Sequence, residues 1–155
     1  MSQARTSGRA MIPADLLVQA TAVAIGGRAL LLEGAPGSGK SSLALALIDR
    51  GAQLIGDDGV RLLREGDSVA ASPPPNIAGK LEIRGVGIVD LPTTSAPLAL
   101  ILTLEAEAPR FPDPVETRDV LGLAIPLLRF RPGDAIQALR AEWALLVHGL
   151  APSEY

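Results

Sequence analysis

Residues Gly34-Ala-Pro-Gly-Ser-Gly-Lys40-Ser41 decide the fold of this 155-residue chain. Their spacing, Gly-x4-Gly-Lys-Ser, is the Walker A pattern, in which glycines let successive backbone N–H groups surround a phosphate. The apolar run at 28–33 precedes the loop and predicts a buried strand, while residues 40–49 predict a helix. A strand, a loop and a helix in this order bring the positive end of the helix dipole to a bound anion.

The loop predicts a nucleotide site with a magnesium ion. The Lys40 ammonium would reach the β- and γ-phosphates, and the Ser41 hydroxyl would be a ligand of Mg²⁺. The residues assigned to the phosphate site are Gly34, Ala35, Pro36, Gly37, Ser38, Gly39, Lys40, Ser41 and Ser42. The alternative interpretation is a glycine-rich turn between a strand and a helix that binds no ligand.

Composition narrows the class of protein. Apolar residues make up 48% of the chain and aromatic residues 3%, the formal net charge is −3, and there is no cysteine. The lack of cysteine excludes disulfides and thiolate metal sites. The negative charge and the few aromatic residues argue against nucleic-acid binding. No apolar run reaches the roughly eighteen residues of a membrane span, so we expect a cytoplasmic protein that does not contact a membrane.

The length of the chain fits one domain. We expect a disordered tail at 1–12, a catalytic domain at 13–150 and a second tail at 151–155. Apolar runs predict further strands at 15–25, 52–55, 60–64, 68–71, 97–104 and 125–131. The uninterrupted run at 97–104 predicts a central strand that is buried on both faces. The proline-rich segment at 105–117 predicts a mobile excursion, and residues 110–118 are a candidate flap over the substrate.

A helix is predicted at 135–148, near the end of the chain. Its larger apolar residues follow helical spacing and predict a stripe that packs on the core. These residues are Ile136, Leu139, Trp143, Leu146 and Val147. We interpret Trp143 as core packing rather than as a platform for a nucleobase.

Two adjacent acids follow the predicted strand at 52–55. An apolar strand that ends in Asp57-Asp58 has the form of a Walker B strand, whose carboxylate holds Mg²⁺ directly or through water. Because neighbouring side chains diverge in an extended or turn conformation, one acid can face the metal while the other faces an incoming hydroxyl as a general base. The alternative is a solvated turn, since Asp and Gly are common turn residues.

Residues 79–92 mix strand-forming residues with glycine. Alternation places Glu82 and Arg84 on one face, and Leu81 and Ile83 on the other. The carboxylate and the guanidinium could assist Mg²⁺ and neutralise charge on a transferring phosphoryl group. They could equally form an exposed pair on the surface of the strand, and the segment alone does not decide between the two.

The chain resembles the HPr kinase/phosphorylases of bacteria in three ordered segments. The first is the loop at 34–41, and the second is Leu54-Ile-Gly-Asp57-Asp58-Gly-Val60, which is similar to that family's strand ending in paired aspartates. The third, Leu81-Glu-Ile-Arg-Gly-Val-Gly-Ile-Val89, looks like its signature segment. The resemblance covers the catalytic domain only.

The resemblance implies a single-domain α/β fold, a strongly twisted mixed sheet around the phosphate loop like that of phosphoenolpyruvate carboxykinase. It implies phosphorylation of a serine on the phosphocarrier protein HPr by ATP or pyrophosphate with Mg²⁺, and removal of that phosphate by inorganic phosphate. It also allows a homo-oligomer. Carried over, the catalytic residues would be Asp57 as base and acid, Lys40 and Arg84, and the metal-side residues Ser41, Asp58 and Glu82.

The sequence departs from the family pattern at two positions. Gln19 occupies the place of a histidine on the first strand, and Asp134 follows Gly133 where the family carries a basic residue. Glutamine can donate a hydrogen bond to phosphate but cannot take up a proton. Gln19 in place of the histidine and the short chain keep open a binding module that senses nucleotide or phosphate without catalysis. A small-molecule kinase or NTPase also stays open, because a phosphate loop alone does not separate these classes.

Overall fold

A computed structural model describes residues 14–76, 79–112 and 114–152. The strands are β1 (Asp15–Val18), β2 (Thr21–Ile25), β3 (Arg28–Glu33), β4 (Gln53–Gly56), β5 (Val60–Glu65), β6 (Ser68–Ser72), β7 (Lys80–Ile83), β8 (Gly87–Asp90), β9 (Ala96–Leu104), β10 (Glu116–Val120) and β11 (Leu123–Phe130). The helices within these ranges are α1 (Lys40–Asp49) and α2 (Gln137–His148). The predicted tail at 1–12 and most of that at 151–155 lie outside the described residues.

The strand, loop and helix predicted around the phosphate loop are present. β2 and β3 form an antiparallel hairpin whose turn is Gly26-Gly27. Both glycines have positive φ, 57° and 82°, the conformation that a tight hairpin turn requires. β3 ends at Glu33, and α1 begins at Lys40. The hairpin thus feeds the chain directly into the loop.

One predicted strand is divided into two. Residues 15–25 form β1 and β2, with a break at Gln19 and Ala20. The two strands have different partners, because β1 pairs with β5 whereas β2 lies between β3 and β4. The chain must change direction between these partners, and the prediction of a continuous strand was wrong for that reason.

A single curled sheet of nine strands organises the domain. Its strand order is β1-β5-β6-β9-β3-β2-β4, and β11 joins it through β9 while β10 pairs with β11. β9 runs parallel to β3 and β11 and antiparallel to β6. Its central position and burial confirm the prediction for 97–104. β7 and β8 form a separate two-stranded sheet.

Apolar side chains lie on both faces of the sheet and form two cores. Leu31 of β3 and Ile101 of β9 belong to the first core, whose buried residues come from strands and their connections and from neither helix. Leu30 and Leu32 belong to the second core, which is closed by both helices. The alternation of β3 between the two cores explains why its sequence is a continuous apolar run.

Helix α2 packs through a face that the sequence did not predict. Its buried residues are Ala138, Ala141 and Leu145. The larger apolar residues point outward instead, with exposed fractions of 53% for Ile136, 38% for Leu139, 61% for Trp143, 62% for Leu146 and 63% for Val147. Both sets follow helical spacing, so periodicity alone could not choose between them. The interpretation of Trp143 as core packing was wrong.

The segment predicted as an excursion ends in a strand. β10 pairs with β11 through a turn at Leu121 and Gly122, whose φ angles are 53° and 91°. The β10 residues Glu-Thr-Arg-Asp are exposed, so the strand lacks the apolar alternation that would have predicted it. The described residues between β9 and β10, at 105–112 and 114–115, are without regular secondary structure. Mobility of that part, and its role as a flap, remain predictions.

Candidate active site

Helix α1 begins inside the loop without a side-chain cap. Gly39 is the N-cap residue, with φ of 106°, and the first turn carries no acidic residue. The backbone N–H groups of this turn therefore keep their partial positive charge for a ligand. The start of α1 has the local structure of an anion site.

The loop is closed by one backbone hydrogen bond and by two hydrogen bonds from the Lys40 side chain. Ser38 N donates to Ala35 O at 3.0 Å. The Lys40 ammonium donates to Gly34 O at 2.8 Å and to Ala35 O at 3.3 Å. A Cβ at Gly34 would lie 2.4 Å from Ser38 Oγ and 3.1 Å from Ser38 Cβ, so a side chain there would displace Ser38. Lys40 thus holds the loop in shape and keeps its charge at the mouth of the site.

The paired aspartates lie in a tight turn after β4. A Cβ on Gly56 would lie 2.1 Å from Gly59 O, which means that the turn closes onto a position with no side chain. Asp58 adopts the left-handed conformation, with φ of 61°, which Asp tolerates better than most residues. Asp57 is half-buried and Asp58 is exposed. The two carboxylates therefore occupy different environments.

Asp57 is held by hydroxyl groups from two elements. Its Oδ1 accepts a hydrogen bond from Ser41 Oγ at 2.7 Å and another from Thr21 Oγ1 at 3.0 Å. Its Oδ2 lies 3.5 Å from the backbone N of Glu82, a long contact. The phosphate loop, the start of β2 and the β7–β8 hairpin all meet at this carboxylate.

These elements enclose an open cleft of about 560 Å³. The cleft is lined by Thr21, Pro36, Gly37, Gly39, Lys40, Ser41, Ser42, Asp57, Asp58, Glu82, Arg84 and Gly85. Three residues assigned to the phosphate site from the sequence, Gly34, Ala35 and Ser38, belong to the loop but do not line the cleft. All the residues assigned to catalysis or to the metal do line it.

Glu82 and Arg84 reach the cleft in a different way from the one predicted. Glu82 lies in β7, whereas Arg84 lies in the turn between β7 and β8, where Val86 N donates to Ile83 O at 2.9 Å. Strand alternation therefore does not extend to Arg84, and the prediction that both share one strand face was wrong. The turn nevertheless brings both side chains to the same cleft.

Sequence reasoning missed Thr21 and Gly85. Thr21 carries the polar side chain in an otherwise apolar buried run, residues 20–24. A hydroxyl within such a run needs a partner, because a buried polar group without one is costly. A polar residue within an apolar run was therefore the signal in the sequence that could have identified Thr21. Gln19 lies in the bend before β2, is exposed, and does not line the cleft.

The oxygen-bearing side chains of the cleft are compatible with a metal ion that binds together with phosphate. Within the described ranges, no three acidic, histidine or cysteine side chains are grouped closely enough to hold a metal ion alone. Mg²⁺ usually keeps several waters and takes only one or two carboxylates together with phosphate oxygens. The oxygen donors of Ser41, Asp58 and Glu82 fit that mode of binding.

Comparison with known proteins assigns the chain to a family. A model of the HPr Serine kinase C-terminal domain matches residues 12–96. The chain belongs to this family. The match to the HPr Serine kinase C-terminal domain includes the phosphate loop, the paired aspartates and the β7–β8 hairpin, and it confirms the resemblance found in the sequence.

Individual relatives carry related names. Proteins named HPr kinase/phosphorylase from Burkholderia cenocepacia (strain HI2424), Burkholderia mallei (strain SAVP1) and Paraburkholderia phymatum are each 40% identical over 112 residues. These matches cover 64% of this chain and 35% of each relative. The chain thus spans about a third of the length of the curated relatives that it matches.

A solved structure shares the fold. The Hpr(Ser) kinase/phosphatase from Coxiella burnetii superposes with a TM-score of 0.75 at 29% sequence identity. The superposition covers 86% of this chain and 95% of that one. The predicted mixed α/β single-domain fold is therefore confirmed. Among the described helices, none has the length and apolar character to cross a membrane.

Proposed function

We propose that the chain transfers a phosphoryl group from ATP to a serine of an HPr-like phosphocarrier protein, with Mg²⁺, and that it also removes this phosphate. The observation that carries the proposal is the position of Asp57, whose Oδ1 is held by Thr21 and Ser41 beside the phosphate loop. Family membership and the names of the relatives support the class of reaction. Pyrophosphate would be an alternative phosphoryl donor.

The phosphate loop would bind the donor. The N-terminal N–H groups of α1 and the ammonium of Lys40 would neutralise the β- and γ-phosphates. In this state Lys40 would exchange its contacts with Gly34 O and Ala35 O for phosphate oxygens. Ser41, Asp58 and Glu82 would hold Mg²⁺, which neutralises charge on the phosphates.

Asp57 would take the proton of the acceptor serine. As the serine oxygen forms a bond to the γ-phosphorus, the bond to the β-phosphate oxygen breaks, ADP leaves, and the proton passes to the carboxylate. Arg84, which lines the same cleft, would stabilise charge on the equatorial oxygens.

Removal of the phosphate from the phosphoserine would use the same side chains of the cleft. An oxygen of inorganic phosphate would attack the phosphoserine phosphorus, the serine oxygen would leave with the proton of Asp57, and pyrophosphate would form. This step is the reverse of transfer from pyrophosphate, and these two reactions share one transition state, so one carboxylate can act as base in one direction and as acid in the other. We expect the reaction in the cytoplasm, where ATP and phosphate are present.

The test is the intact mass of the HPr-like protein from the same organism. It is incubated with this chain, ATP and Mg²⁺, and inorganic phosphate is then added. We expect a phosphoserine adduct that appears and is later lost, and we expect no adduct with Asp57→Asn. An unmodified partner, despite measured ATP binding, contradicts the proposal. Rapid ATP hydrolysis without any protein acceptor would favour a small-molecule kinase or NTPase.

A further inference from the structure

We propose that Thr21 is a positioning residue that holds the Asp57 carboxylate in the orientation required for proton transfer. The inference rests on the proposed function, because it assigns Asp57 to the serine proton. Among the residues that the structure describes, Thr21 is the one polar residue that is fully buried, with an exposed fraction of 0%. Its hydroxyl donates to Asp57 Oδ1 at 3.0 Å, and both residues line the cleft.

The pairing of β2 with β4 places Thr21 under the acidic turn. Ala22 is opposite Gly56, the last residue of β4, and the register shifts between Ala22 and Val23. Such an irregularity bends the strand, increases its twist and changes the direction of nearby side chains. The turn that follows Gly56 therefore passes over Thr21.

The Thr21 hydroxyl contacts both residues of the acidic pair. Its proton is donated to Asp57 Oδ1, while its oxygen lies 3.5 Å from the backbone N of Asp58 and can accept a weak hydrogen bond. A hydroxyl can donate one hydrogen bond and accept others at the same time. One side chain of β2 thereby links the turn to the sheet.

Two hydrogen-bond donors occupy one oxygen of the Asp57 carboxylate and thereby determine which oxygen faces the acceptor serine. Thr21 and Ser41 both donate to Oδ1, so Oδ2 is left for the serine proton on the side of Glu82. Ser41 is also assigned to Mg²⁺, and its contacts change with the nucleotide state. Thr21 is not assigned to Mg²⁺, so its hydrogen bond to Asp57 should stay the same in every nucleotide state.

A purely structural role makes a different prediction. Thr21→Val keeps the shape and volume but removes the hydroxyl, whereas Thr21→Ser keeps the hydroxyl and removes a methyl group. If Thr21 only fills space, the serine variant should be the more impaired of the two. If it positions Asp57, the valine variant should be the more impaired.

The experiment measures kcat and KM for ATP in the transfer to the HPr-like protein. We expect Thr21→Val to lower kcat by about 10- to 100-fold, since small misplacement of a reacting group has effects of this size. KM and the dissociation constant for ATP should stay within about twofold, because the phosphate loop is unchanged. Thr21→Ser should recover kcat to within about threefold of the unmodified chain.

A matched control is available in β9. Thr103 Oγ1 is buried and has no hydrogen-bond partner among the described residues. Thr103→Val therefore removes a buried hydroxyl without breaking a contact, and kcat should not change. If Thr21→Val leaves kcat unchanged, or if Thr21→Ser loses as much as Thr21→Val, the assignment is overturned.

Crystal structures separate this inference from the proposed function. In Thr21→Val without ligand, the Asp57 carboxylate should leave the position that it has in the unmodified chain, and in Thr21→Ser it should keep it. An unmoved carboxylate in Thr21→Val overturns the positioning role. If the unmodified chain transfers no phosphate to its partner, the proposed function fails, while the structures still decide whether Thr21 orients Asp57.

Discussion

Arg50 at the end of α1 forms an ion pair with Glu142 in α2. Its Nε lies 3.0 Å from Oε1 and 2.9 Å from Oε2 of the carboxylate. The pair connects the helix that begins in the cleft to the last helix of the domain. The hydrogen bond and the charge of Glu142 raise the pKa of Arg50 above its usual value.

Glu142→Gln should lower the melting temperature slightly, and the decrease should shrink as salt is added, because exposed charges are screened. A base with a raised pKa contributes stability below its unfolded pKa and loses it as the pH rises through the folded pKa. Both pKa values lie in the strongly alkaline range, so the effect of Arg50 should not vary between neutral and moderately alkaline pH. A melting temperature that falls equally at low and high salt would contradict the ion pair.

Lys40→Ala should weaken ATP binding and lower transfer by about 100-fold or more, because it removes the charge that meets the developing negative phosphate oxygens. It also removes the two contacts that close the loop. Calorimetric titration with Mg·ATP and the transfer assay measure both effects. Lys80→Ala is the control, since Lys80 pairs with Asp90 and does not line the cleft. Equal ATP affinity in the two variants would exclude Lys40 from the phosphate site.

Gly56→Ala should destabilise the domain by about 2–3 kcal/mol, because overpacking has costs of this order. The added Cβ would lie 2.1 Å from Gly59 O, a backbone atom that cannot move without opening the acidic turn. Gly59→Ala in the same turn is the control. Its Cβ would meet Pro74 Cγ at 3.6 Å, an ordinary contact, and the change should be within about 1 kcal/mol. Urea unfolding followed by circular dichroism compares the two variants, and equal costs would contradict the described turn.

Leu145→Ala should cost about 2–5 kcal/mol, the usual range for a buried leucine. Trp143→Ala should cost less than about 1 kcal/mol, since surface substitutions have small effects. The exposed fractions are 1% for Leu145 and 61% for Trp143. Urea unfolding measures both changes. A larger cost for Trp143 than for Leu145 would show that the outer face of α2 is covered.

The sequence predicted the parts of the fold that depend on local pattern. The apolar runs of β3 and β9 are continuous because both faces of these strands are buried, and the loop spacing identified the start of α1. Each of these features can be predicted from residues that are close together in the sequence. The glycines and the acidic pair likewise indicated the cleft before any tertiary contact was known.

The features that the sequence did not predict depend on contacts between residues that are distant in the chain. Helix α2 has two faces with helical spacing, and the small residues Ala138 and Ala141 form the buried one. β10 is polar because it is exposed, and only its pairing with β11 makes it a strand. The contact between Thr21 and Asp57 requires the register of β2 against β4, which the sequence pattern does not contain.

The position of β9 has a consequence for the time course of folding. Its parallel neighbours β3 and β11 come from early and late parts of the chain, with Leu30 opposite Leu100 and Leu102 opposite Leu128. Such pairings require long loops to close first, and domains built this way fold in milliseconds to seconds rather than microseconds. The end of β3, and with it the start of the phosphate loop, has both of its neighbouring strands only after β9 has docked beside the β2–β3 hairpin. A newly synthesised chain should therefore acquire nucleotide affinity late in folding, together with its last long-range contacts.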